Sequence, residues 1–111
     1  SSIAMLYEDV SLADVIKKNK TGIKSTFSPL NFKQDELKIN EQKFTSFNYS
    51  IIEKKSGIKV NYVSYYIGNG NNVLHVLFWT LDKASWLLRE SYGVMKSLEL
   101  EPNRDSGFMF D

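Results

Sequence analysis

His75 carries the side chain best suited to proton transfer or metal binding, and it is the only histidine in a chain of 111 residues. A general base or a metal ligand needs partner groups. The nearest acidic residues along the chain, Asp82 and Glu90, do not stand at a metal-ligand spacing from it. The apolar residues around His75 indicate a central strand. The pattern therefore favours a buried, hydrogen-bonded structural histidine over a catalytic one.

Asp35 and Glu36 are the second candidate for chemistry, because a pair of carboxylates can act as an acid and a base. Adjacent residues on a strand point to opposite faces of a sheet, so these two would not share a site. We interpret them as solvated turn residues. The sequence contains no GxSxG, HExxH or comparable motif. It therefore predicts a protein that is not an enzyme and uses no cofactor or metal; a small hydrolase or isomerase that pairs His75 with a carboxylate is the alternative.

Anions could bind at the glycine-rich loop 68–72 or along the lysines of the first predicted helix. The loop lacks the spacing of a phosphate-binding motif and contains no basic residue. No aromatic residue is interleaved with Lys17, Lys18, Lys20 and Lys24 to stack on bases. We interpret the loop as a hairpin turn and the lysines as a solvated helix face, and we predict no nucleic-acid partner.

Composition agrees with an ordinary globular domain. Apolar residues make up 42% and charged residues 24% of the chain, and the formal net charge of +1 does not suit a general nucleic-acid binder. The absence of cysteine excludes disulfides, thiol catalysis and cysteine-ligated zinc. No apolar run approaches the roughly 18 residues of a membrane-spanning helix. We predict one domain over 1–98 and an extended or mobile tail over 99–111.

Segments 58–67 and 73–81 predict the two long strands around which the chain is organised. Both are apolar on both faces, which is typical of strands covered on each side of a sheet. Glycine and asparagine between them tolerate the positive φ values of a tight reversal, so an antiparallel hairpin is predicted. Alternation over 32–39 and a strand with Phe47 and Tyr49 on one face predict a second hairpin, which makes the sheet a meander.

A helix is predicted on each side of this meander in the sequence. The first covers 12–21, with Ser11 as its N-cap, and its apolar stripe continues further if Gly22 does not stop it. The second covers 83–97, with Asp82 as its N-cap. The predicted fold class is therefore α+β, with a central antiparallel sheet flanked by an N-terminal and a C-terminal helix.

Aromatic residues are frequent, at 14% of the chain. Most should pair across strands in the core, but tyrosine and tryptophan are also enriched in binding hot spots. If the helices leave one sheet face uncovered, the candidate partner-binding residues are Tyr62, Tyr65, Tyr66 and Trp86. We further expect Trp79, on the central strand, to matter more for stability than Trp86, at the start of the second helix.

Three features carry a resemblance to the PsbP-like superfamily, which includes DcrB-like bacterial lipoproteins and Ran-binding Mog proteins. They are an aromatic strand over 44–49, a long hairpin ending in Thr80, and a last helix that closes on Lys96-Ser97-Leu98. The resemblance covers about residues 3–98 of the sequence. It implies an α/β/α sandwich, from which most of the family's N-terminal hairpin is absent here, and a non-catalytic accessory protein that binds a protein partner.

The resemblance also implies an exported or a membrane-tethered protein, with any tether outside this sequence, so an extracytoplasmic location is favoured over a cytoplasmic one. An immunity or inhibitor protein that blocks another protein by surface complementarity is an alternative function. The sequence does not distinguish it from an accessory protein, and it leaves the oligomeric state open.

Overall fold

Alternating apolar positions in the middle of the chain build an antiparallel sheet. The computed structural model describes residues 1–81, 83–98, 100–103 and 107–110. In chain order the elements are β1 (Ser2–Tyr7), α1 (Leu12–Phe27), β2 (Leu30–Ile39), β3 (Gln42–Ile52), β4 (Lys59–Asn69), β5 (Asn72–Thr80), α2 (Ala84–Ser97), β6 (Leu100–Asn103) and β7 (Gly107–Phe110). In the described residues the first five strands form one sheet in the order β1-β5-β4-β3-β2, with every neighbouring pair antiparallel. The predicted α+β class is confirmed.

Two tight turns set the register of the sheet. The β2–β3 turn consists of Asn40 and Glu41, with φ values of 49° and 67°. Positive φ at both central residues is the turn geometry that matches the twist of the flanking strands. The β4–β5 turn is closed by Gly70, whose φ is 61°. Both strands of the second hairpin run closer to the turn than predicted, to Asn69 and from Asn72.

The two described helices lie on opposite faces of the sheet. On β4, Val63 and Tyr65 belong to a buried cluster with Leu87 of α2. The next residue, Tyr66, belongs to a separate cluster with Val15 of α1. Because successive side chains of a strand point to opposite faces, each helix covers one face. The centre of the sheet is therefore buried on both sides.

Helix α1 begins where the sequence predicts and ends later. The Ser11 hydroxyl oxygen accepts a hydrogen bond from the Asp14 backbone N–H at 3.1 Å, which confirms the predicted cap. The helix does not stop at 21 but continues through Gly22 to Phe27, where Ser28 adopts a left-handed conformation. A glycine costs about 1 kcal/mol in a helix interior, which the packing of this helix overrides.

The predicted basic face of α1 is only partly solvated. The Lys20 ammonium donates a hydrogen bond to the Gln34 side-chain oxygen at 3.0 Å. The Lys24 ammonium lies 4.9 Å from the centre of the Phe32 ring, within the range of a cation–π contact. Both partners are on β2, so these two lysines contact that strand, whereas Lys17 and Lys18 are exposed as predicted.

Helix α2 is fixed at its C-terminal end. The Asn40 side-chain amide, in the β2–β3 turn, donates a hydrogen bond to the Lys96 carbonyl at 2.7 Å. Lys83 occupies the N-cap position without a side-chain capping bond. The predicted N-cap, Asp82, lies outside the described residues. Among the described residues, neither helix has the length and apolar character that crossing a membrane requires.

The segment after α2 contains β6 and β7, which pair with each other in an antiparallel arrangement. They belong to the region 99–111, for which the sequence predicts an extended or mobile tail. They form a sheet of their own, separate from the five-stranded one.

Candidate interaction surface

His75 lies inside the sheet core. It is 4% exposed, and its Nε2 atom lies 3.1 Å from the Ser64 hydroxyl oxygen. Its ring stacks on Tyr66 with ring centres 4.1 Å apart. Burial lowers the pKa of His75 to about 4, so the ring is neutral near pH 7. The predicted buried, hydrogen-bonded histidine is confirmed.

Two polar atoms beside this bond have no partner among the described residues. They are the Nδ1 atom of His75 and the hydroxyl of Tyr66, and both are buried. Burial raises the pKa of Tyr66 above that of an exposed tyrosine, so its hydroxyl is neutral as well. An unpaired buried polar atom costs about 1–3 kcal/mol. This cluster affects stability, and its burial keeps it away from an external substrate.

Asp35 and Glu36 belong to strand β2 and not to a turn, which corrects the prediction. They pair with Ser46 and Thr45, so their side chains point to opposite faces as expected. The Glu36 carboxylate accepts a hydrogen bond from the Thr45 hydroxyl at 2.9 Å. The strand accommodates two acidic residues because β2 is an edge strand. The sheet separates their carboxylates, so they do not form an acid–base pair.

Two of the four aromatic residues predicted to contact a partner are buried. Tyr65 and Tyr66 are 1% and 0% exposed. The Tyr65 hydroxyl lies 2.8 Å from the hydroxyl of Ser91, a residue of α2. The prediction is wrong for this pair in the described conformation, because it needed one sheet face without a helix. Tyr62 is half-buried and Trp86 is 42% exposed, so both keep accessible surface.

Trp86 lies at the end of the sheet where β2 and β4 begin and where β3 and β5 end. The register places Leu30, at the start of β2, level with Thr80, at the end of β5. The last turn of α1 and the first turn of α2 reach the same end, because they adjoin these strands. Among the described residues, six large apolar side chains at this end are 41% to 67% exposed. They are Phe27, Leu30, Ile52, Ile58, Leu81 and Trp86, and we call them the apolar end.

Positive charge surrounds the apolar end. Within the described part of this region, the exposed charged residues of the β3–β4 loop, the start of β4 and the N-cap of α2 are four lysines and one glutamate: Lys54, Lys55, Lys59, Lys83 and Glu53. Charge at the rim of a contact surface guides the choice of partner more than it adds affinity. The apolar end therefore suits a partner with an apolar centre and an acidic rim.

Stacked aromatic rings lie on the strands that lead to the apolar end. Tyr62 pairs across the strands with Trp79, and its ring stacks on Tyr49 with centres 5.2 Å apart. Burial, together with the neighbouring Tyr62, raises the pKa of Tyr49 to about 12. Rings held in this way lose little conformational freedom when a partner covers them.

A separate groove lies beside α2, and Trp86 is not among its lining residues. Helix α2 packs over β4 and β5, and the groove runs between the helix and neighbouring residues of β2 and β3. The groove has a volume of about 630 Å³, and its lining combines the apolar side chains of Leu37, Leu88 and Tyr92 with polar and charged ones that include Asp35 and Arg89. Its size is that of a small-molecule pocket, so it is a second candidate site.

The resemblance to the PsbP-like superfamily rests on the sequence features given above. No family model, curated protein or solved structure matches this chain. The proposal for its function therefore rests on its surface.

Proposed function

We propose that this chain is a non-catalytic interaction module that binds a protein partner through the apolar end. The observation that carries the proposal is the gathering of six exposed large apolar side chains from separate segments at one end of the sheet. Single exposed apolar residues are ordinary on a protein surface, whereas a concentration of them marks a contact site. Trp86 belongs to the residue type that contributes most often to binding hot spots.

Binding is favoured over catalysis because the groups that could do chemistry are not arranged for it. His75 is buried and neutral, and none of the described carboxylates hydrogen-bonds to it. Within the described residues, no three acidic, histidine or cysteine side chains group as metal ligands would. The exposed feature of the molecule is apolar area with a basic rim, which serves association.

The class of partner follows from the chemistry of this surface. An acidic rim on the partner would complement the lysines around the apolar end. An inhibitor or immunity protein would use the same contact residues, so that alternative belongs to the same proposal. From the sequence resemblance we also propose a PsbP-like accessory role in an extracytoplasmic compartment.

A photocrosslinking amino acid at position 86 tests the proposal in cells that express the protein. The matched control is the same amino acid at Tyr92, which is on the same helix, is 40% exposed and faces the groove. We expect a specific adduct from position 86 that Leu81→Asp reduces at least tenfold. Leu88→Asp, a change of the same kind beside the groove, should leave the adduct unchanged.

Circular dichroism of both aspartate variants establishes that they fold. An adduct from position 92 alone would place the contact site at the groove. So would an adduct that Leu88→Asp removes and Leu81→Asp does not. The proposed use of the apolar end would then be wrong.

A further inference from the structure

The edge strands of the five-stranded sheet, β1 and β2 in the described chain, differ in their protection against pairing. Strand β2 carries Lys33, Asp35, Glu36 and Lys38, and its register is irregular near Leu30. Charges and irregularities of this kind discourage another strand from adding to an edge. Strand β1, with the sequence SIAMLY, has no charge, no proline and a regular register. The β1 edge therefore lacks the usual protection.

The unpaired backbone groups of β1 can be assigned from its hydrogen bonds. The Trp79 N–H donates to the Ser1 carbonyl at 3.0 Å, and the Ser1 amino group donates to the Trp79 carbonyl at 3.3 Å. Hydrogen-bonded pairs alternate with non-bonded pairs along an antiparallel ladder. The backbone groups of Ser2, Ala4 and Leu6 therefore point away from β5. In the described residues no strand pairs with them.

The β1 edge is also apolar on both faces. Ile3 and Leu6, whose side chains point to opposite faces, are 49% and 43% exposed. They pair across the ladder with Leu77 and Leu74 of β5. A strand added to this edge would place its side chains beside apolar neighbours on both faces. An open edge with these properties is a template for strand addition.

We propose that β1 pairs in an antiparallel manner with β1 of a second copy of this chain, which joins the two sheets into one. A two-fold axis at Ala4 sets Ser2 opposite the partner's Leu6. Every outward-pointing backbone group of the strand then enters a hydrogen-bonded pair, and Ile3 comes beside the partner's Met5. The match is self-complementary, and because β1 is uncharged, no like charges face each other within it.

This contact goes beyond the proposed function, because it leaves the apolar end free. Each copy uses the same edge of its five-stranded sheet about a two-fold axis, so this contact closes at two copies and does not extend into a fibre. Two six-residue strands bury much less than the roughly 1,600 Å² of a standard interface. We therefore expect a reversible dimer whose population depends on concentration and little on salt.

Cysteine pairing tests the contact and its register, because the chain contains no cysteine. Ile3→Cys and Met5→Cys proteins, mixed and oxidised, should form a disulfide-linked heterodimer. Non-hydrogen-bonded cross-strand pairs have Cα atoms about 4.5 Å apart, within the range of roughly 4.4–6.8 Å that a disulfide spans. Each variant alone should crosslink several-fold less, because its two cysteines are offset along the strands. Lys38→Cys, on the other edge, is the matched control and should stay uncrosslinked.

Analytical ultracentrifugation of the unmodified chain gives the second readout. We expect a monomer–dimer equilibrium for the unmodified chain. Ala4→Pro should be monomeric with an unchanged thermal melt, because the proline removes an N–H that faces away from β5. A chain that stays monomeric up to several hundred micromolar, or one that forms larger oligomers, would overturn the proposal. Heterodimer yields no higher than those of Lys38→Cys would do the same. Neither result affects the crosslinking test of the apolar end.

Discussion

Protonation of His75 is the sharpest test of the packing between β4 and β5. Its pKa is about 4 in the folded chain against an ordinary value of 6.5, because burial penalises the charged ring. Between these pH values the unfolded chain binds more protons than the folded chain, so stability falls as the pH falls. Relative to pH 8, this linkage lowers the free energy of unfolding by about 2 kcal/mol at pH 5, and by about 3 kcal/mol below pH 4.

The variant His75→Gln isolates this effect. Glutamine keeps an amide that can hydrogen-bond to Ser64 but has no proton to gain in this pH range. Acidic groups titrate in both proteins, so their contributions cancel in the difference between them. Urea unfolding followed by circular dichroism from pH 5 to 8, at constant ionic strength, gives that difference. We expect the unmodified protein to lose about 2 kcal/mol more than the variant over this interval.

Two outcomes would refute the reasoning. Parallel pH profiles would mean that the folded chain does not penalise the imidazolium, so the ring would not be buried against Tyr66. A profile of opposite sign would require a carboxylate beside the ring, where the structure places the Ser64 hydroxyl. The ring-proton NMR shift decides independently, because it should not titrate until the pH is below about 5.

Four further substitutions test the sheet, its turns and the packing of the helices. Trp79→Ala should lower the free energy of unfolding by about 2–4 kcal/mol, because Trp79 packs within the sheet, and Trp86→Ala by about 1 kcal/mol. The reverse order in urea melts would contradict the greater structural role given to Trp79. Glu41→Gly should raise the free energy of unfolding by about 1 kcal/mol, because Glu41 has a φ of 67°, which glycine adopts more easily. A lower free energy of unfolding would indicate that the glutamate makes a compensating contact. Gly68→Val should lower the free energy of unfolding by about 1–3 kcal/mol in the same assay, because a Cβ at position 68 would lie 3.1 Å from the Cβ of Leu12. An unchanged melt would mean that α1 is not packed against β4.

The sequence predicts the sheet well because its signals are local. Short segments that are apolar on both faces identify the two central strands, and glycine and asparagine identify the turn between them. Phe47 and Tyr49, predicted to share a face, do lie in one buried cluster. The Ser11 cap is found as predicted because it needs only the residues that follow it.

The extent of α1 and the accessibility of the aromatic residues depend on tertiary contacts and were not predictable in this way. Gly22 is a weak stop signal, and packing carries the helix beyond it to Phe27. Tyr65 and Tyr66 read alike in the sequence as residues of a strand apolar on both faces. Which face a helix covers is set by where the helices dock, and here each covers one.

The apolar end could not be predicted from the sequence because its members are far apart in the chain. Phe27 closes a helix, Ile52 ends a strand and Leu81 follows one. Each is unremarkable alone, since single exposed apolar residues are common. Only the register of the strands brings them to one end. The periodic spacing of apolar residues that identifies core positions therefore does not identify this surface.

The two proposed contacts together predict a bivalent particle. Ser1 pairs with Trp79, so β1 begins near the apolar end. Antiparallel pairing of β1 with its copy would then place the two apolar ends at opposite ends of the joined sheet, where each can hold its own partner. Once a partner is found, its complex with the unmodified chain should have a 2:2 stoichiometry by light scattering.

Ala4→Pro should convert this complex to 1:1 and leave the affinity of each site within about twofold, because the proline lies outside the apolar end. If both copies are needed for one partner, the proline variant will instead lose binding altogether. That result would place the partner across the β1 contact and exclude two independent sites. On a surface that carries several partners, the paired chain should bind at least tenfold more tightly than the proline variant, because the second contact forms within the same particle.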